Sequence, residues 1–211
     1  GIGTRTAMTV ATYRLSFTTG GLFINESVMA ADLYLQSRDW QRVRDQIRSE
    51  NLLQVRTAAA ALRISQEVVA RLEHLTAEEI ATLAQGTSRE RGYLLWAAVC
   101  RRYAFIRDFA TEVLREYFIT LRQSLALKDF DAFFNGKAMW HEELDSTAAT
   151  TQLKLRQNLF RMMRDADLIS DANVIQPAML TNAVATLLAA KGREALLIFP
   201  ISDTDINRCL Q

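Results

Sequence analysis

Residues 150–169, TTQLKLRQNLFRMMRDADLI, decide how this chain is read. Leu153, Phe160 and Met163 recur at helical spacing, and Leu155, Leu159 and Met162 widen the stripe they make. The segment therefore predicts one amphipathic helix closed by a short apolar strand. The other side of that helix carries Thr151, Gln152, Lys154, Gln157, Asn158 and Arg161, side chains that donate to phosphate oxygens and to base edges. No acid stands between Asp145 and Asp165, whereas Lys154, Arg156, Arg161 and Arg164 place four positive charges in that window. A solvated helix ordinarily mixes both signs, so this one-signed face predicts a recognition helix for an anionic polymer.

The flanking segments give the helix a context. Residues 129–134 predict a short helix ending at Asn135-Gly136, a pair suited to a left-handed cap, and residues 137–144 predict a second. A polar turn over 145–149 leads into the basic helix. After it, Leu168-Ile169 and Val174-Ile175 flank Ser170-Asp171-Ala172-Asn173, the pattern of a small hairpin. Helix, helix, long basic helix and hairpin is the order of a winged helix-turn-helix with a β-hairpin wing. Residues 179–191 predict a further helix ending at Gly192, residues 195–199 a short apolar strand or extended closure, and the tail after Ser202 a mobile end.

Towards the N-terminus the reading is again helical. Residues 1–7 show no periodicity and Met8 reads as a natural start, so these seven are expected to lie outside the native chain. Residues 9–17 suit an extended arm. Thr18-Thr19-Gly20-Gly21 form a loop into a helix over 22–37, either an anion site made of backbone amides or a flexible turn. Asp39 caps a helix running to Ser49 with Trp40, Val43 and Ile47 inward. Its Arg38, Arg42, Arg44 and Arg48 suit phosphate contacts, diluted by Asp45 and Glu50.

Residues 57–75, TAAAALRISQEVVARLEHL, predict two helices broken near Ile64-Ser65 with Ser65 as the second N-cap. This is a helix-turn-helix-like hairpin in which Arg63 and Arg71 would meet DNA, although Glu67 and Glu73 oppose a phosphate backbone; a purely structural hairpin is the alternative. Thr76 caps the next helix, and Thr87 with Glu90 forms a capping box for a central helix. Its run of apolar residues from Tyr93 to Ile106 leaves almost no polar face and predicts burial on most sides. Residues 109–127 continue as a helix with Phe109, Val113, Leu114, Phe118 and Leu121 inward.

At 211 residues the chain holds one well-buried core or two lobes sharing one, residues 9–86 and 87–211. The formal net charge of +1 rules out a general polycation, so a nucleic-acid site has to come from local segregation of charge. Cations are 21 Arg against 4 Lys, a skew that favours the planar fork of guanidinium. Two Pro and eight Gly imply long helices and few tight turns. Cys100 and Cys209 form no CxxC or disulfide framework, which points to a reducing compartment.

The longest apolar run, residues 93–100, is too short to span a bilayer, and a soluble, cytoplasmic protein is expected. His141 lacks the second His of a zinc-protease helix, and Glu142, Glu143 and Asp145 beside it read as surface charge. With no nucleophile elbow or phosphate loop, the expectation is no enzyme, no metal, no cofactor and no small-molecule substrate.

Several strings in order resemble one family over residues 13–200. They are Tyr13-Arg14-Leu15-Ser16-Phe17-Thr18-Thr19-Gly20-Gly21, Asn51-Leu52-Leu53-Gln54-Val55-Arg56-Thr57, Trp96 through Cys100-Arg101, Thr151-x-x-Lys154-Leu155-Arg156-Gln157, and Phe199-Pro200. Together they resemble the BrxA component of bacteriophage-exclusion (BREX) defence systems. The resemblance implies an all-helical, non-catalytic accessory protein that works beside a methyltransferase, an ATPase and other BREX subunits and binds double-stranded DNA through helix-turn-helix elements. It also implies likeness to RNA-binding antitermination proteins, and a protein-interaction scaffold is the rival reading. The expected DNA contacts are Thr151, Gln152, Lys154, Gln157, Asn158, Arg161 and Arg164, with Arg63 and Arg71 in the first hairpin.

Overall fold

The computed structural model describes residues 10–211, so the expectation for residues 1–7 lies outside the described residues. Among the described residues the chain is helical and forms no strand. Residues 10–23 cross the core without helix and enter α1 (Ile24–Ser37) at Phe23, whose φ is 54°. In α2 (Trp40–Ser49) the Asp39 carboxylate accepts from the amides of Gln41 and Arg42. In α3 (Ala58–Leu72) the Thr57 hydroxyl accepts from Ala60. Both α4 (Ala77–Gln85) and α5 (Ser88–Arg102) open on reciprocal capping boxes, Thr76 with Glu79 and Thr87 with Glu90. Each box satisfies two backbone donors that a helix start otherwise leaves open.

Helices α1 to α4 pack on one another, and α1, α3 and α4 lean on α5. Residues 92–100 of α5 are all buried, so α5 is the axis of the molecule. After a break at Tyr103, α6 (Ala104–Phe109), a π-helical turn (Ala110–Arg115) and α7 (Glu116–Ile119) form one rod. Then follow α8 (Leu127–Ala138), the single turn α9 (Glu142–Asp145), α10 (Ala149–Asp165), α11 (Asn182–Ala189), a 3-10 turn (Arg193–Ala195) and α12 (Asp203–Cys209).

Several expectations fail for identifiable reasons. Helix α3 runs straight through Ile64-Ser65, because Ser65 is buried and its hydroxyl donates to Leu62 O at 3.0 Å instead of capping a new helix. The expected N-terminal hairpin is therefore one helix. Helix α8 likewise runs through Asn135-Gly136, since Phe130 and Phe134 on one face bury against the core. The hairpin wing is not formed as strands. Residues 168–175 make a tight turn held by isolated antiparallel bridges, Ile169 with Ile175 and Ser124 with Val174. Residues 195–199 form no strand. The end expected to be mobile is α12, capped by Ser202 on the Asp205 amide and anchored by buried Ile206.

One cluster of buried side chains runs from Tyr13 to Ile206. Phe105 lies at its aromatic centre, with Tyr13, Phe130, Phe133 and Phe134 meeting it edge-on. The indole nitrogen of fully buried Trp96 donates to Ile198 O at 2.8 Å, fastening the C-terminal segment to α5.

The arm is fastened at the other side. The Tyr13 ring stacks on buried His141 at 4.0 Å, its amide donates to Glu143 Oε1 at 2.6 Å, and its hydroxyl donates to Asp108 at 2.6 Å. Glu143, expected as surface charge, thus holds the arm. Burial pushes the Glu143 carboxyl up, but hydrogen bonds from the Tyr13 amide and His141 outweigh it and hold the group below its ordinary value. A carboxylate depressed in the folded state adds stability above its unfolded value of about 4.3, and that stability is lost as pH falls through the folded value. The stability gap between the native chain and Glu143→Gln, measured by thermal unfolding, is therefore expected to be full near pH 6 and to narrow below about pH 4.

Candidate nucleic-acid interface

Helix α10 buries Leu155, Leu159, Phe160, Met162 and Met163 and packs against α5 and α8. Gly92 of α5 allows the approach: a Cβ there would stand 3.2 Å from the Ala166 Cα at the end of α10. Leu153, expected in the buried stripe, is 43% exposed. The outward face presents Lys154, Gln157 and Arg161, all exposed. Among the described residues none of the three makes a side-chain hydrogen bond or an ion pair. Thr151 and Gln152 are half-buried in the first turn. That turn has no side-chain cap at Ala148 and no acid, so its amides and the positive end of the helix dipole stay available to an anion.

Three other expected contacts, Asn158, Arg164 and Arg71, are used internally. Asn158 donates to Phe17 O at 3.1 Å and so holds the arm. Arg164 donates to Asn173 Oδ1 at 2.9 Å, tying α10 to the turn that follows it. Arg156, from the same acid-free window, pairs with Asp131 at 2.7 Å. Arg71, expected to meet DNA, is fully buried: Nε donates to Glu67 at 2.7 Å and Nη1 to Gly21 O at 2.7 Å. A guanidinium in that position fastens the arm and cannot reach a duplex. Arg63 is exposed on α3. On α2, Arg44 pairs with Glu73 and Arg48 with Asp45, which neutralises half of that expected basic surface.

The loop over 18–22 lies between α3 and α10 and touches both. Its Leu22 amide donates to Asp165 Oδ2 at 3.0 Å, so the loop, read from the sequence as either an anion site or a flexible turn, takes a carboxylate of the chain itself. A Cβ at Gly21 would meet Asp165 Oδ2 at 2.0 Å and Arg161 Cγ at 3.1 Å, so a side chain there displaces the carboxylate that holds the Leu22 amide. Asp165 was legible only as the end of the acid-free window, and its role in seating the loop beside Arg161 had no sequence signal. No group of three or more His, Cys, Asp and Glu among the described residues is placed to hold a metal ion. Burial pushes the Cys100 thiol well up, which leaves it a packing residue. No helix among the described residues is long and apolar enough to cross a membrane.

Comparison with known proteins gives a consistent result. The family model BrxA matches residues 11–192. A protein of Escherichia coli O9:H4 (strain HS) named BREX protein BrxA is 28% identical over 147 residues, covering 70% of this chain and 69% of the relative. A BREX protein BrxA of Bacillus cereus (strain H3081.97) is 27% identical over 124 residues, 59% of this chain and 62% of its own length. A third, from Paramagnetospirillum magneticum (strain ATCC 700264 / AMB-1), is 27% identical over 76% of this chain and 80% of its own. The fold matches a crystal structure of an uncharacterized protein from Magnetospirillum magneticum, with a TM-score of 0.77 at 21% identity over 95% of this chain and 99% of that one. The family model spans most of the chain, and the chain belongs to the BrxA family.

Proposed function

We propose that this chain is a non-catalytic component of BREX phage defence that binds double-stranded DNA through the outward face of α10. The BREX assignment rests on the names of its relatives. The DNA reading rests on one observation: Lys154, Gln157 and Arg161 are exposed without internal partners on a helix whose residues 149–164 include no acid. Lys154 and Arg161 stand seven residues apart, about 10 Å along the axis at the ~1.5 Å rise of an α-helix. That separation is comparable with a major groove about 12 Å wide. The two cations would then hold phosphates while Gln157 between them, an amide suited to the adenine edge, faces the base pairs. Thr151 and the uncapped first-turn amides supply a third phosphate contact.

The reading does not need a wing, because the contacts lie on α10 itself. Other BREX proteins are the expected protein partners. The two cationic contacts, Lys154 and Arg161, give a log–log salt slope of about −1.8, at about −0.9 per neutralised phosphate. Fluorescence anisotropy on a labelled 20-base-pair duplex across a salt series measures it, and binding insensitive to salt contradicts the proposal. Structured RNA as competitor is expected to displace the duplex poorly.

A further inference from the structure

Beside the loop, and lined by no residue of α10, lies a second basic feature, a cleft of about 550 Å³. The arm contributes Ser16, Thr18 and Thr19 to its lining, and α2, α3 and the end of α5 contribute Arg44, Arg63 and Arg102; the Ser16 hydroxyl lies 3.4 Å from that of Tyr103. Glu67 is the one carboxylate among the described lining residues, and it is already occupied. It accepts from buried Arg71 and from the Tyr103 hydroxyl, with Arg102 Nη2 3.7 Å away. Burial, the Glu67 charge and the Glu67 hydrogen bond push the Tyr103 phenol up, so it stays a donor. Arg44 is paired with Glu73 outside the cleft. Four guanidiniums, Arg44, Arg63, Arg71 and Arg102, thus stand against two carboxylates, Glu67 and Glu73, a local excess of two positive charges. Among the described residues exposed Arg63 has no partner. Hydroxyls beside guanidinium forks are the donor set that oxyanions take, and Arg in particular suits phosphate geometry.

We propose that this cleft is a phosphate-binding site, separate from the α10 face, that takes a phosphate group borne by a nucleotide or by a nucleic-acid backbone. Arg63 supplies the free fork, Thr18 and Thr19 donate from the arm, and Gln66 donates from α3. The arm that lines the cleft is the same one that Asn158 and Asp165 hold on α10, so an occupied cleft stabilises the platform next to Arg161.

The experiment titrates the full chain with inorganic phosphate, adenosine monophosphate and adenosine by calorimetry, and with a 20-base-pair duplex across a salt series. Arg63→Ser, Gln66→Ala and the Lys154→Glu/Arg161→Glu pair are run alongside, each checked for an unchanged melting temperature. If the phosphate comes from a nucleotide, adenosine monophosphate and inorganic phosphate bind saturably and adenosine does not. Arg63→Ser then weakens both at least fivefold, Gln66→Ala weakens them less, and the α10 pair leaves them unchanged. If it comes from a backbone, Arg63→Ser lowers the magnitude of the duplex salt slope by about one. The proposal is overturned if Arg63→Ser changes neither phosphate binding nor the slope. It is also overturned if free phosphate binds but only the α10 pair removes it, which would place the anion on α10 and leave the duplex reading standing. Loss of duplex binding by the α10 pair bears on that reading alone.

Discussion

Replacing Arg71 by alanine is expected to lower the unfolding free energy by about 3–5 kcal/mol, the cost of breaking a buried ion pair by removing one partner. The guanidinium is fully buried and reaches two elements at once, Glu67 one turn back on α3 and the Gly21 carbonyl in the loop. Its removal leaves Gly21 O without that donor and Glu67 with a diminished set. For a chain of this size each kcal/mol moves the melting temperature by roughly 2–4 °C, so a fall of about 6–20 °C is expected. Arg63→Ala, eight residues earlier and exposed, is expected to cost about 0.5 kcal/mol or less. Thermal unfolding of the two variants side by side measures the contrast. Equal and small shifts would mean that Arg71 is a surface cation and that the loop is held by something else.

Much of the helical framework was legible because helix starts leave local chemical marks. Asp39, Thr76 and Thr87 each cap the helix that follows them. Behind the Thr87–Glu90 capping box, the unbroken apolar run from Tyr93 to Cys100 marked a buried helix. Misreadings arose where one residue type serves two purposes. Ser65 is a good helix starter and the Asn135-Gly136 pair a good terminator, yet a serine can also bond back within its own helix, and burial of Phe134 outweighs a weak local preference. Ser202, three residues before Asp205, did carry a start signal for α12 that a polar tail concealed.

The candidate site divides in the same way. Lys154, Gln157 and Arg161, on the acid-free face read from the sequence, are exposed on α10. The internal use of Asn158, Arg164 and Arg71 was not legible, since their partners Phe17, Asn173 and Gly21 are an irregular arm, a turn and a loop without periodicity. The contribution of Arg102 to the cleft depends on where α5 ends against α3, a tertiary fact with no local trace. The arm itself, anchored by Tyr13, Phe17 and Leu22 at irregular spacing, shows why: its residues are buried by long-range partners.

The second large effect concerns the central claim. Reversing both exposed cations of α10 in Lys154→Glu/Arg161→Glu removes two phosphate contacts and replaces them with two repulsions. Neither side chain has an internal partner among the described residues, so surface substitution costs the fold little. An electrophoretic mobility shift with duplex DNA at about 50 mM salt, where backbone contacts are strongest, is the direct test. The native chain is expected to retard the duplex and the double variant to leave it free at every concentration tried, with an unchanged helical circular-dichroism spectrum. Undiminished retardation by a folded double variant would show that α10 is not the DNA-binding face.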